Sequence, residues 1–276
     1  MPKMDAPPSV ATVQRIRFRS TESSALNGDI VVRFTDPEPI IATWDEIEDD
    51  AVARASSGEG INSDELLLIT GSRSTRESLG SVYPAGQIEV TWRGDYVAWQ
   101  PGLAVLSVRA EHEDDVVAAI TYFSFYEGEL RKLEQRVDEL WPKAERDIAL
   151  THQVKKHDLA RTDSINELTR VVQLARMRCL RIAWLLENPD AALLSHAGRQ
   201  IVSELVGRGN IENRLEAVED RLEVFSDLYE LANDRLSEFS FFWREYTLEV
   251  WILAMLVLEV VLLVIEALFI SHLSGN

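Results

Sequence analysis

Cysteine is nearly missing from this chain. Cys179 is the only one, which excludes an intrachain disulfide and a zinc site built mainly from cysteines. Lysine is scarce too: five lysines stand against 23 arginines, so a local run of arginines is weak evidence of a special site. Positive charge as a whole is in deficit, 28 basic against 46 acidic residues and a formal charge of −18, which opposes broad contact with nucleic-acid phosphates or anionic lipid. Nucleic acid is therefore not expected as a partner. The chain contains no P-loop, dinucleotide fingerprint, nucleophile elbow or metal-spaced histidine pair, so neither catalysis nor a cofactor nor a bound metal is expected. His152 and His157 are five apart and do not share a helix face. The stretch Met1 to Val10, with three prolines and Asp5, lacks the apolar core of a signal peptide and the Arg-rich helix of a transit peptide. The bulk of the chain is expected to stay in the cytoplasm.

Serine, threonine and asparagine are also lacking from Val250 to Ile270. At about 1.5 Å per residue this run reaches roughly 31 Å, the thickness of a bilayer core. Glu259 and Glu266 lie inside it, one heptad apart. A charged acid near mid-membrane costs roughly 2.5 to 3.5 kcal/mol, so both are expected to be neutralised, paired or turned toward other protein. Two meanings compete: an ion or proton site in an oligomeric bundle, or acids that hydrogen-bond to another helix and set its register. The second is preferred, because conduction asks for more pore-lining polar residues than this run supplies.

What is present upstream changes period near Ala110. Before it, short β-rich runs recur, at Ile16–Arg19, Ile30–Phe34, Ile40–Trp44, Leu66–Thr70, Ile88–Trp92, Tyr96–Trp99 and Leu103–Val108. The Arg93-Gly94-Asp95 step predicts a hairpin turn, and Asp49 to Asp64 a helix with a loop, or a loop alone. After Ala110 the apolar spacing is three and four. One series runs from Val116 to Leu140, with a disturbance expected at Pro142. A second runs from Ile165 to Leu186 behind the cap signal Thr162-Asp163-Ser164 and ends at Asn188-Pro189-Asp190. A shorter helix is expected over Ala191 to Val206, before a break at Gly207 to Gly209. The longest series starts at Ile211 and continues into the apolar run. With Leu215 at heptad position a, Glu238, Glu245, Glu259 and Glu266 all fall at c, roughly 130° from the seam.

The fold class this predicts is α+β: a small β-rich N-terminal domain followed by a long-helix, coiled-coil-like region and one C-terminal transmembrane helix. Its expected divisions are a disordered 1–12, a head at 13–110, a helical hairpin region at 111–206, a stalk helix at 207–249, the transmembrane helix at 250–270 and a short tail at 271–276. Arg170, Arg176, Arg178 and Arg181 lie in an acid-free stretch, Leu168 to Leu186. They form a candidate anion patch, with packing beside the acidic Glu212–Glu238 helix as the preferred explanation. Glu111 to Asp115 is expected to be a solvated helix N-terminus rather than a metal site, and Cys179 to be inert core.

The segment Leu248-Glu249-Val250-Trp251-Ile252, followed by Glu259-Val260, resembles the terminal signature of the family required for meiotic nuclear division, also called sporulation RMD or YagE-like. Leu186-Glu187-Asn188-Pro189-Asp190 is similar to a second step of that family, and Leu231 to Leu236, with Asn233 and Arg235, to its preceding helix. The likeness covers Leu168 to Val264. Trp251 lies one place later than the family tryptophan, and the N-terminal domain is not matched. The resemblance implies a helical, membrane-anchored oligomer without catalytic residues, here expected as a bacterial inner-membrane, single-pass form. Its partners would be further copies of itself and the lipid bilayer, with a protein partner at the head left open. The alternative is a membrane ion channel or transporter with a cytoplasmic head and stalk, as in CorA-type channels.

Overall fold

A computed structural model describes residues 12–21, 29–35, 39–45, 64–71 and 87–274, the side chains of Ala191 and 266–274 excepted. The helix or loop expected over 49–63 and the expected disorder of 1–11 lie outside the described residues. The chain is an N-terminal β-rich domain followed by several long helices, the last of them apolar toward its end.

Among the described residues, seven strands form one sheet: β1 (Thr12–Ser20), β2 (Ile30–Phe34), β3 (Ile40–Asp45), β4 (Glu65–Thr70), β5 (Ile88–Trp92), β6 (Asp95–Gln100) and β7 (Leu103–Ser107). Their order is β2-β3-β1-β4-β7-β6-β5, and every pairing is antiparallel except β4 with β7. The β5–β6 hairpin turns through Arg93 and Gly94, both at positive φ, 48° and 95°, as a two-residue primed turn demands. The alternation of side chains places Ile16, Phe18, Phe34 and Trp99 toward the helices. The Phe34 ring lies 4.0 Å from that of Phe125 at a tilt, and Trp99 meets Phe123 edge-on at 4.9 Å. On the other face Leu67, Ile69, Tyr96, Ala98, Leu103 and Val105 form a second buried cluster. Beside it, Arg15, Arg17 and Arg19 of β1 converge on Asp45 of β3.

Four helices follow: α1 (Glu113–Asp147), α2 (Thr162–Glu187), α3 (His196–Arg208) and α4 (Ile211–Ser274). The apolar series from Val116 to Leu140 and from Ile211 to Leu236 are buried at every position, as their spacing predicts. Three local expectations are corrected. α1 runs through Pro142 to Asp147; Pro142 and Asp138, whose carbonyl loses its i+4 donor, are both exposed residues, where a missing backbone bond is tolerated. Thr162 does not cap α2 from outside but opens it, its hydroxyl donating back to the Leu159 carbonyl. α3 starts at His196, because Pro189–Ala191 forms a 3-10 turn and Ser195 Oγ accepts from the Gly198 amide as the cap. α3 ends against the sheet edge at Gly209, where a Cβ would come within 2.9 Å of Ile88 Cδ1 and 2.8 Å of the Leu205 carbonyl.

The chain divides into two compact units. One holds Met1–Asp138 and Leu174–Leu222, the other Glu139–Gln173 and Glu223–Asn276. In the first, the Tyr122 hydroxyl donates to the Leu185 carbonyl at 2.7 Å, and the Cys179 thiol reaches the Leu215 carbonyl at 3.7 Å. In the second, Trp141 packs 5.3 Å from Phe225. There Gln173 donates to Ser226 at 3.0 Å and Asn233 to Thr169 at 3.2 Å. Lys156 lies 4.3 Å from the centre of the Trp243 ring.

Candidate functional site

Past Leu236 the character of α4 changes. Its seam residues are buried as far as Leu236, whereas from Phe241 to Ile265 the large apolar side chains of α4 are exposed. Among the described residues this is one helix long and apolar enough to cross a membrane, with a mean hydropathy of 2.7 over its most apolar window and none of that window buried. Leu248, Glu249, Trp251 and Glu259 all lie on this exposed stretch. Glu266 continues the helix, and its side chain is outside the described residues.

The acids of α4 are ordered along their whole length. Glu212, Glu216, Asp220, Glu223, Asp227, Glu230, Asp234 and Glu238 are exposed and recur three or four apart. At roughly 100° per residue they share one face, opposite the buried seam, and the same spacing carried onward meets Glu245, Glu259 and Glu266. The heptad count in the sequence found only the last four members of this stripe.

Charge is used differently inside the first unit. Glu127 is only 2% exposed at its side chain and accepts from Arg131 at 2.6 Å and from Arg214 at 2.9 Å. Arg214 also grips Glu134 with two parallel bonds of 2.8 and 2.7 Å. The hydrogen bonds to Glu134 raise the Arg214 pKa above its already high ordinary value; burial, which acts the other way, is outweighed. Arg221 of α4 reaches Asp138 of α1 at 2.8 Å. The acidic helix is thus tied to α1 by its own arginines, a role that its overall charge conceals.

The candidate arginines of α2 are dispersed. Arg170 pairs with Glu167 on its own helix at 2.6 Å, Arg176 is half-buried, and Arg178 and Arg181 line a shallow cavity with Glu129, Lys132 and Arg136 over Tyr126, Leu133 and Ile182. The residues of the family-like signature are dispersed as well. Pro189 is buried in the turn after α2, Asn233 bonds Thr169, and Arg235 pairs with Glu238 at 3.0 Å.

Two further polar centres escaped sequence reasoning. Asp95, 2% exposed, accepts from the Arg109 amide at 3.0 Å and the Arg109 guanidinium at 3.3 Å. His112 Nδ1 lies 2.6 Å from the same carboxylate. Burial pushes the Asp95 carboxyl up, but the bonds from Arg109 and His112 outweigh it and hold it below the usual range. In the second unit Asp147 pairs with Arg161 and faces the buried Tyr229 hydroxyl, which burial and then the Asp147 charge push up to about 12. Cys179, buried and near Glu219, is pushed up to about 11, which leaves the thiol protonated and unreactive at neutral pH. Among the described residues no group of three or more His, Cys, Asp or Glu side chains is arranged to hold a metal. The acids Glu113, Asp114 and Asp115 fill the first turn of α1.

In comparisons with known proteins, the chain matches no family model, no curated protein and no solved structure. The residues themselves therefore carry the functional argument.

The Asp95 centre makes a pH prediction. A carboxyl whose pKa is depressed by folding stabilises the fold above its ordinary value near 3.9, and that contribution is lost as pH falls through the lower folded value. Asp95→Asn is expected to lose about 1–3 kcal/mol at pH 7, with the gap to wild type narrowing below about pH 4. Urea melts at pH 7 and pH 3 read the difference directly. An equal gap at both values would show that ionisation of Asp95 contributes nothing.

Proposed function

We propose that this chain is a single-pass, membrane-anchored scaffold that assembles with copies of itself, its N-terminal bulk on the cytoplasmic side of a bacterial inner membrane. The observation that carries the reading is the exposed apolar end of α4 with Glu259 within it. Such a surface needs lipid, and an acid within lipid needs a partner. Kinship with the RMD/YagE-like family is part of this proposal, supported by the step from Leu248 and Glu249 to Glu259, with Trp251 one place out of the family spacing. Catalysis has no part in it.

The test is the mass of the full-length protein in mild detergent, measured by light scattering. Wild type is expected to be an oligomer, and Glu259→Leu to change its subunit number. A monomeric wild type would sink the reading. Ion flux in proteoliposomes that disappears with Glu259→Gln would replace the scaffold by a channel.

A further inference from the structure

α2 has two apolar faces but only one core. Its inner series, Val172, Ala175, Cys179, Ile182 and Leu186, is buried. On the other side Leu174, Met177 and Trp184 are 45%, 66% and 58% exposed. With Arg181 they run three, four and three apart, a helical stripe centred roughly opposite the buried one. A large apolar stripe on a bundle helix marks a surface that docks onto something. Its own α4 is already engaged through the inner face, at Cys179 and Leu215.

The complementary stripe is in the same sequence. On α4, Val224 and Leu231 are 54% and 43% exposed, and Asp227 and Asp234 alternate with them, again three and four apart, both exposed. Where the α2 stripe joins apolar residues to arginine, this one joins them to aspartate. The surroundings repeat the contrast: Leu168 to Leu186 carries four arginines and no acid, and the acids of α4 share one face.

We propose that the outer face of α2, at Leu174, Met177, Arg181 and Trp184, docks on the Val224–Asp234 face of α4 in a second copy of this chain. The inference rests on the self-assembly proposed above and names its surface. Apolar side chains spaced three and four apart on both helices interdigitate, and the flanking charges fix which face meets which. Anchoring by α4 would confine copies to one plane and raise their effective concentration, so a modest contact suffices. Two different faces meet, so the contact closes either reciprocally in a pair or around a ring.

The experiment uses full-length protein, with Met177→Cys in chains bearing one tag and Leu231→Cys in chains bearing another, co-expressed and oxidised in detergent. Cys179 is buried and does not compete. A disulfide between differently tagged chains is expected, and Met177→Glu is expected to reduce the assembly's mass with unchanged circular dichroism. An oligomer that forms no mixed disulfide and keeps its mass with Met177→Glu would overturn this surface while leaving self-assembly intact. A monomer would overturn both. Disulfides confined to Met177→Cys chains would show the α2 faces pairing with each other and reject the α4 site. A fluorophore at Met177→Cys quenched by brominated lipid, without mixed disulfides, would assign the face to the bilayer and reject the second copy.

Discussion

Arg214→Ala is expected to destabilise the fold by about 3–5 kcal/mol, because it leaves Glu134 without its bidentate partner and Glu127 buried with Arg131 alone. Urea denaturation of the full-length protein in detergent measures it. Arg214→Lys should recover only part of the loss, since an ammonium cannot reproduce the two parallel bonds to Glu134. Removing charge on both sides, Arg214→Met with Glu127→Leu, should cost less than Arg214→Ala alone: no acid is then stranded in the interior at position 127. A single-variant loss below about 1 kcal/mol, the size of an exposed ion pair, would show that this centre is not a buried network.

Two arginines in the apolar end of α4 should have a larger effect still. Leu256→Arg with Val260→Arg adds roughly 5 to 7 kcal/mol to the transfer of that segment into a bilayer, taking about 2.5 to 3.5 kcal/mol for each charge near its centre. The doubly substituted protein should leave the membrane fraction for the soluble fraction or aggregate, as read by flotation on a density gradient. Leu256→Ala with Val260→Ala should stay with the membrane. If the arginine variant floats with lipid as wild type does, the segment is not the anchor.

Much of the architecture was legible because burial has a period. The series through Phe123, Cys179 and Tyr229 each marked the inner face of a helix, and alternation located β2 and β5 to the residue. Period does not name partners. Arg214 and Glu127 are 87 positions apart, and nothing local in either predicts the other. The same limit hid Asp95, which reads as the third residue of a turn until Arg109 and His112 fold back on it. The outer stripe of α2 was legible in principle, as a second three-and-four series out of phase with the first. Arg181 within it reads instead, with Arg170, Arg176 and Arg178, as part of a basic helix packed beside the acidic Glu212–Glu238 helix. At Pro142 a local rule lost to exposure, because the bond it removes is one that water can replace.

The strand order has a further consequence for how the sheet comes apart. Two antiparallel lobes, β2-β3-β1-β4 and β7-β6-β5, meet along one parallel ladder, the less stable kind per residue. Backbone bonds from Leu67 to Gly102 and from Gly71 to Leu106 flank that ladder. α1 splints the fracture line: Tyr122 and Phe125 hold Phe34 of one lobe, while the intervening Phe123 and Ser124 hold Trp99 of the other. Sub-global opening of the sheet is therefore expected to start where one turn of one helix lifts away, after which each lobe can retain its own antiparallel pairing.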